Sequence, residues 1–291
     1  MKKTKILVTG LNGFIGSRFK DLYKDKFDLI GFSHQGNNSI LDRKYTYKLI
    51  SDSDTNVVLH LAAKTHIDRC EKDRPLGKTG ESWLVNVKGT ENIANACFKF
   101  KKRLLFLSSE CVFDGKKSWY RETDKPIPIN WYGITKLNAE KKVKESRSQF
   151  CILRSTLAFG HPAFYPFDLF HYFADKLSKK IIVKAVADQS LSLTFIDDIV
   201  KVIAVLIDKK AKGIFHFAGG RSLSPYQFAC LVGKKLNASH LVEPQSLDEY
   251  FGEKAKLRLK NATLSSLKLK NKYNIKPSNI TVGLEQSFKR L

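Results

Sequence analysis

The chain has 291 residues, 43% hydrophobic and 27% charged, which is enough apolar content for one large core or two modest ones and excludes a disordered polymer. Its 51 Lys and Arg against 28 Asp and Glu leave a formal charge of +23; the excess is spread over every third of the chain with no nucleic-acid-binding consensus, so it reads as a lysine-rich surface with room for phosphate-bearing small molecules. Five cysteines without a CxxC pair exclude a disulfide framework or zinc cluster and suit the cytoplasm, and no stretch approaches the roughly 20 apolar residues of a membrane span.

Residues 5–9 form a β-branched run ending at Gly10, and an amphipathic stretch begins near Phe14. Between them Gly10, Gly13 and Gly16 are spaced GxxGxxG. Strand, glycine turn and helix in that order predict a nucleotide site, because glycines let backbone N–H groups approach a pyrophosphate at the positive end of the helix. The next apolar run, 29–32, leads into Ser33, His34 and Gln35 without an acid to bind a ribose 2′-hydroxyl. Arg18, His34, Arg43 and Lys44 offer positive charge to a 2′-phosphate, which favours NADP(H) over NAD(H).

Further buried-strand runs follow at 57–61, 104–107 and 151–153, separated by helical periodicity over 82–100 and 132–143. The alternation predicts an α/β fold with a Rossmann-type doubly wound parallel sheet. After about residue 155 the rhythm loosens through an aromatic stretch (Phe159, Phe164, Tyr165, Phe167, Phe170, Tyr172, Phe173) that suits either base stacking or core packing. A strand is expected over 181–187, a helix over 197–207 and another strand over 214–217. These features divide the chain into a nucleotide-binding domain, 1–157, and a smaller substrate-binding region, 158–291, with 188–218 returning to the first. Recurrent leucines from Leu257 to Leu284 mark the lysine-rich end as packed structure. His60, His66 and His161 lack metal-ligand spacing, and Asp197 and Asp198 read as a helix start.

Ser108 and Ser109 end the 104–107 strand region, and Tyr132 and Lys136 stand four apart on one helix face. A nearby ammonium favours phenolate, so Lys136 is expected to lower the Tyr132 pKa from about 10 and make it a usable proton donor. Ser109 is placed to hold a substrate carbonyl while Tyr132 exchanges its proton.

Residues 107–115 (LSSECVFDG), 120–124 (YRETD) and 128–140 (PINWYGITKLNAE) resemble the STDYVFDG, Y-x-E-x-D and P-x-N-x-YG-x-(S/T)K-x-x-x-E signature of the extended short-chain dehydrogenase/reductases, in their dTDP-4-dehydrorhamnose reductase-like branch. Residues 60–65 with Asp68 and Glu71, residues 153–160, Asp188-Gln189 with Thr194, and residues 258–261 resemble further elements in the same order. The resemblance implies NAD(P)H-dependent reduction of a keto group on a nucleotide-activated sugar, with Tyr132 as proton donor, Lys136 as its modulator and Ser109 as carbonyl holder. It places Gly13, Phe14 and Ile15 on the pyrophosphate and Ser33, Ser39 and Ile40 toward adenosine. Ala62, Ala63, Lys64 and Thr65 lie along the cofactor in this reading, with Leu107 under its nicotinamide half. Ser109, Glu110, Leu157 and Arg258 fall on the substrate side, and dimerisation is a family expectation.

The departures also cluster there. Glu110 stands for the family aspartate, Cys111 for its tyrosine, Leu157 for its tryptophan and Leu259 for its proline, while residues 74–83 form a longer loop. An epimerase or dehydratase using Glu110 or Cys111 as an extra acid or base is the enzymatic alternative. A non-catalytic regulatory subunit is the other, since that of methionine adenosyltransferase resembles the same branch.

Overall fold

The computed structural model describes residues 3–32, 39–161 and 168–291; Ser33, His34, Phe164, Tyr165 and Phe167 lie outside the described residues. Five strands carry the first part of the chain: β1 (Thr4–Thr9), β2 (Phe27–Gly31), β3 (Val57–His60), β4 (Arg103–Ser109) and β5 (Gln149–Ser155). Their central residues, among them Leu7, Val58, Leu104 and Ile152, are inaccessible to solvent, as expected of strands covered on both faces. With the edge strand Gly213–Phe217 they form one sheet in the order Gly213–Phe217, β5, β4, β3, β1, β2, and the pairs β1–β2, β1–β3 and β3–β4 are parallel. Sheet growth reverses at β1, which leaves a crevice between the carboxyl ends of β1 and β3, where α/β folds take ligands.

Side-chain oxygens cap two helix starts in the first part of the chain. Asp42 caps the helix Arg43–Asp52 by accepting from Tyr45 N–H at 3.0 Å, and Asn130 caps Trp131–Glu145 by accepting from Gly133 N–H at 2.7 Å. The run expected over 82–100 is helical from Glu81 to Lys99 but widens into a π turn at Leu84–Gly89. No helix among the described residues is long and apolar enough to cross a membrane.

The chain divides into two compact units, interleaved in sequence: Met1–Val112, Pro126–Arg154 and Val200–Phe215 form one, and Phe113–Lys125, Ser155–Ile199 and His216–Leu291 the other. This differs from the expected boundaries at 157 and 188–218. Residues 113–125 join the second unit because Tyr120 donates its N–H to Thr263 O at 3.0 Å, while Gly115 O and Tyr120 O accept from Asn261 and Ser265 N–H at 3.1 and 2.9 Å. Ser190–Leu191 pairs with Asn261–Ala262, which keeps the start of the expected return in that unit too.

Within the second unit, Val183–Val186 pairs in parallel with Val242–Gln245, and Ala158–Phe159 with Thr194–Phe195. The acid pair at the start of helix Ile196–Asp208 also ties down the chain's end. Asp198 accepts from Ser278 N–H and O–H at 2.7 and 2.8 Å, and Asp197 pairs with Arg290 at 3.0 Å. Leu264, Leu269 and Leu284 are buried as the leucine pattern suggests, whereas Leu267 is exposed.

In the first unit, helix Trp131–Glu145 brings charge under the sheet end. Glu140 and Arg154 are both inaccessible, and the Arg154 Nε and Nη2 groups donate to the two Glu140 oxygens at 2.8 and 2.7 Å. Ser108 Oγ donates to the same carboxylate at 2.7 Å. Removing one partner of such a pair strands the other charge away from water, so Glu140→Ala should lose about 3–5 kcal/mol of stability; urea unfolding of the variant checks this.

Candidate functional site

Beyond β1 the chain turns at Gly10 with φ +70°, where a Cβ would lie 2.8 Å from Ala62 N. A Cβ at Gly16 would lie 2.2 Å from Gly10 O, so the first helix, Phe14–Tyr23, starts pressed against the turn. Gly13, its N-cap, has no capping side-chain bond, and the first helical turn contains no acid. Backbone dipoles at such a start suit a diphosphate.

A buried polar chain fixes this turn to its neighbours. Thr9 Oγ1 accepts from Leu61 and Ala62 N–H, both at 3.2 Å, and lies 2.6 Å from His60 Nδ1. His60 Nε2 lies 2.9 Å from Thr90 Oγ1, whose proton goes to Asn86 O at 2.6 Å. These partners assign the tautomer: Thr9 donates to Nδ1, and His60 donates from Nε2 to Thr90. Burial, aided by the Lys136 charge, pushes His60 down to about 3, so it is neutral at working pH. Asn86 continues the chain, accepting from Lys64 N–H at 2.8 Å and donating to Lys64 O and Thr135 Oγ1, both at 2.9 Å. Neither His60 nor Asn86 stands out in the sequence as a link in this chain; a polar residue at a buried strand or helix position is the available signal.

At the carboxyl end of β4, Ser109 Oγ donates to Glu110 Oε2 at 2.6 Å and accepts from Cys111 N–H at 3.2 Å. Tyr132 comes from helix Trp131–Glu145, whose Gly133 backs onto the Cys111 carbonyl so closely that a Cβ would sit 1.9 Å from its oxygen. Ser109, Glu110 and Tyr132 are 6%, 8% and 8% exposed. Lys136 is 2% exposed, donates to Leu107 O at 2.7 Å and lies 4.1 Å from the Phe106 ring centre.

This arrangement runs against the expected lowering of the Tyr132 pKa by Lys136. Burial drives the Tyr132 phenol well above its ordinary range, electrostatic coupling to the acidic groups of Cys111, Glu110 and Cys70 adds to the rise, and the hydrogen bond with Ser109 opposes it. Burial meanwhile pushes Lys136 down to about 7, against the attraction of Glu140. The ammonium is engaged by a carbonyl and is itself costly to keep charged, so desolvation outweighs it at Tyr132. Tyr132 is therefore a firmly protonated phenol.

The 74–83 loop is a 3₁₀ turn, Arg74–Thr79, closed by Asp73, which accepts from Ser82 N–H and, at 2.7 Å, from Ser82 O–H. Trp83 stacks on Trp131 at 5.7 Å between centres, and Glu71 accepts from Trp131 N–H. The longer loop is thus anchored next to Tyr132 in sequence.

Other expected cofactor residues are placed unevenly. Ala62 and Lys64 are held by the Thr9–Asn86 chain, and Ala63 lies between them. Lys64 Nζ pairs with Glu81 at 2.6 Å, and Thr65 is exposed. Ser39 Oγ accepts from Leu41 N–H at 3.1 Å. The Ile40 side chain is buried in the core, where Gly89 leaves it space, and its carbonyl accepts from Asn92 Nδ2 at 3.0 Å and Thr46 Oγ1 at 3.4 Å. Arg18 is buried 3.9 Å from Asp21, and the Arg43 guanidinium lies over the Tyr47 ring at 5.1 Å, so neither is free-standing positive charge.

On the expected substrate side, Leu157 and Arg258 belong to the second unit. Leu157 is 42% exposed, and the Arg258 guanidinium lies 4.6 Å from the Phe251 ring centre. Signature residues knit around Arg258: Gln189 donates to Leu259 O at 2.7 Å and Asn261 Nδ2 to Gly115 O at 2.9 Å, while a Cβ at Gly115 (φ +73°) would meet Leu259 Cα at 2.8 Å.

The model of the RmlD substrate binding domain matches residues 4–291. Methionine adenosyltransferase 2 subunit beta of Rattus norvegicus is 27% identical over 302 residues, covering 98% of this chain and 87% of the relative. The dTDP-4-dehydrorhamnose reductase of Aggregatibacter actinomycetemcomitans is 26% identical over 289 residues, covering 94% and 95%. Among solved structures, the dTDP-4-dehydrorhamnose reductase of Bacillus anthracis in complex with NADP superposes over all of both chains with a TM-score of 0.90 at 25% identity. With the parallel sheet, the glycine turn and the Ser109–Tyr132–Lys136 cluster in place, the chain belongs to the RmlD family of extended short-chain dehydrogenase/reductases.

Proposed function

We propose that this protein is an NADP(H)-preferring reductase of a keto group on a nucleotide-activated sugar. The observation that carries the reading is the gathering of Ser109, Tyr132 and Lys136, buried, at the carboxyl end of β4. The backbone of Gly10, Gly13, Phe14, Ile15 and Gly16 would hold the cofactor diphosphate, with Ser39 and Ile40 toward adenine and Ala62, Ala63, Lys64 and Leu107 toward the nicotinamide half. When bound, the nicotinamide supplies the hydride. Tyr132, kept as a neutral phenol by burial, gives its proton to the substrate carbonyl oxygen, and the Ser109 hydroxyl holds that oxygen. Lys136 braces the Leu107 carbonyl at the cofactor side. The family resemblance assigns Glu110, Leu157 and Arg258 each to the sugar nucleotide. Support for NADP(H) comes from the lack of an acid in residues 33–35 and from the NADP in the Bacillus anthracis reductase. A cytoplasmic setting agrees with the five free cysteines.

A second reading, a cofactor-binding regulatory subunit, draws on the methionine adenosyltransferase 2 subunit beta relatives. Purified protein mixed with NADPH and a panel of dTDP-, UDP- and GDP-linked 4-keto sugars separates the two. The reductase reading expects loss of nicotinamide absorbance with at least one member. No loss with any of them, together with stable co-purification with a methionine adenosyltransferase catalytic subunit, would establish the second.

Two variants probe the parts independently. Tyr132→Phe should bind NADPH as the parent does and lose at least about a hundredfold in kcat, measured by steady-state kinetics beside a fluorescence titration. Gly16→Val should lose NADPH binding in the same titration, because its side chain would occupy the space of the Gly10 carbonyl 2.2 Å from the Cβ.

A further inference from the structure

Protonation of the carbonyl oxygen by Tyr132 leaves a phenolate that must regain a proton, and Lys136, the expected helper, is bonded to the Leu107 carbonyl. The Ser109 hydroxyl instead stands between two proton-bearing groups. Its Oγ lies 2.6 Å from Glu110 Oε2 and is hydrogen-bonded to the Tyr132 phenol; it donates to an ionised Glu110, whereas a protonated Glu110 donates to it and leaves the Ser109 proton for Tyr132. All three side chains lie in the first unit and are less than a tenth exposed. Glu110 opens a 3₁₀ turn, Glu110–Val112, directly after β4, so its carboxyl is held beside Ser109 by the backbone and not by a flexible loop.

We propose that Glu110 stores a proton for Tyr132 and delivers it through the Ser109 hydroxyl. The inference rests on the reductase reading and adds a residue that acts through another. Tyr132 transfers its phenolic proton to the substrate carbonyl oxygen. The Ser109 proton then passes to the phenolate oxygen, and the Glu110 carboxyl proton passes to Ser109 Oγ. Tyr132 and Ser109 end neutral and Glu110 ends as a carboxylate, which takes a proton from water before the next cycle.

The electrostatics suit this role. Burial pushes the Glu110 carboxyl up to about 7, against hydrogen bonds from Ser109 and from backbone N–H groups of Glu110 and Cys111. It therefore holds its proton below that pH and loses it above. The titratable groups around the relay are Tyr132 from helix Trp131–Glu145, Cys111 from Glu110's own turn, and Cys70 from helix Ile67–Asp73. Burial pushes Cys70 up to about 11, leaving it a neutral thiol. Lys136 titrates near the same pH as Glu110, so a pH profile of the parent protein alone does not separate them.

Glu110→Gln separates them, since it keeps an acceptor for the Ser109 hydroxyl and removes the acidic proton. The variant should bind NADPH with unchanged affinity, fall at least about tenfold in kcat at saturating substrate, and lose the decline in kcat above about pH 7. Glu110→Asp should recover part of the kcat with a displaced profile. Infrared difference spectra, parent minus Glu110→Gln, should show a protonated-carboxyl band that disappears as pH rises through about 7, whether or not a substrate has been found. A Glu110→Gln variant with parental kcat and the same decline would overturn the relay and assign the titration to Lys136. So would a Glu110 carboxyl ionised on both sides of that pH. Absence of turnover by the parent on any keto sugar overturns the reductase reading itself.

Discussion

Three ionisable side chains enter the interior from one helix at four-residue intervals, and much of the first unit is arranged to make that tolerable. Tyr132, Lys136 and Glu140 are 8%, 2% and 0% exposed, and each needs a partner where water is absent. Lys136 finds the Leu107 carbonyl, Glu140 finds Ser108 and Arg154, and Tyr132 finds Ser109. These partners all come from the ends of β4 and β5 or the residues next to them, so the helix can dock in one register only. Gly133 lets the helix backbone come against the Cys111 carbonyl, which puts the tyrosine beside the serine.

Desolvation then sets the chemistry. The same burial that raises Tyr132 and Glu110 lowers Lys136 and His60, because in each case it disfavours the charged form. The result is a site built from neutral hydrogen-bonding groups, with two of them poised to change charge near neutrality. The Thr9–His60–Thr90–Asn86 chain extends this logic toward the glycine turn, since a neutral His60 can accept at one nitrogen and donate at the other.

Where expectation and structure part, the cause is burial or a distant partner. A tyrosine and a lysine four apart suggested a lowered phenol, a sound inference for partly solvated neighbours, but the ammonium is turned to Leu107 and the site is dry. Ile40 fell in a stretch assigned to adenine contact, and its side chain is taken by the core beside Gly89. Arg18, offered to a 2′-phosphate, is buried near Asp21. The domain boundary shifted because residues 113–125 hydrogen-bond with residues 261–265, a pairing separated by far more chain than periodicity spans.

What could be read from the sequence alone was whatever depends on neighbours a few positions away. Apolar runs gave the order of strands, glycine spacing marked the turn after β1, and helical periodicity marked 82–100 and 132–143, because strand, turn and helix patterns repeat over two to four residues. The serine, tyrosine and lysine were legible for the same reason, since each sits at a strand end or on one helix face. The tertiary structure alone decided their protonation, the pairing of Glu140 with Arg154, the contact of Ser109 with Glu110 inside a dry site, and the division into units. Those follow from which groups exclude water from which others, a property of packed surfaces brought together from distant parts of the chain.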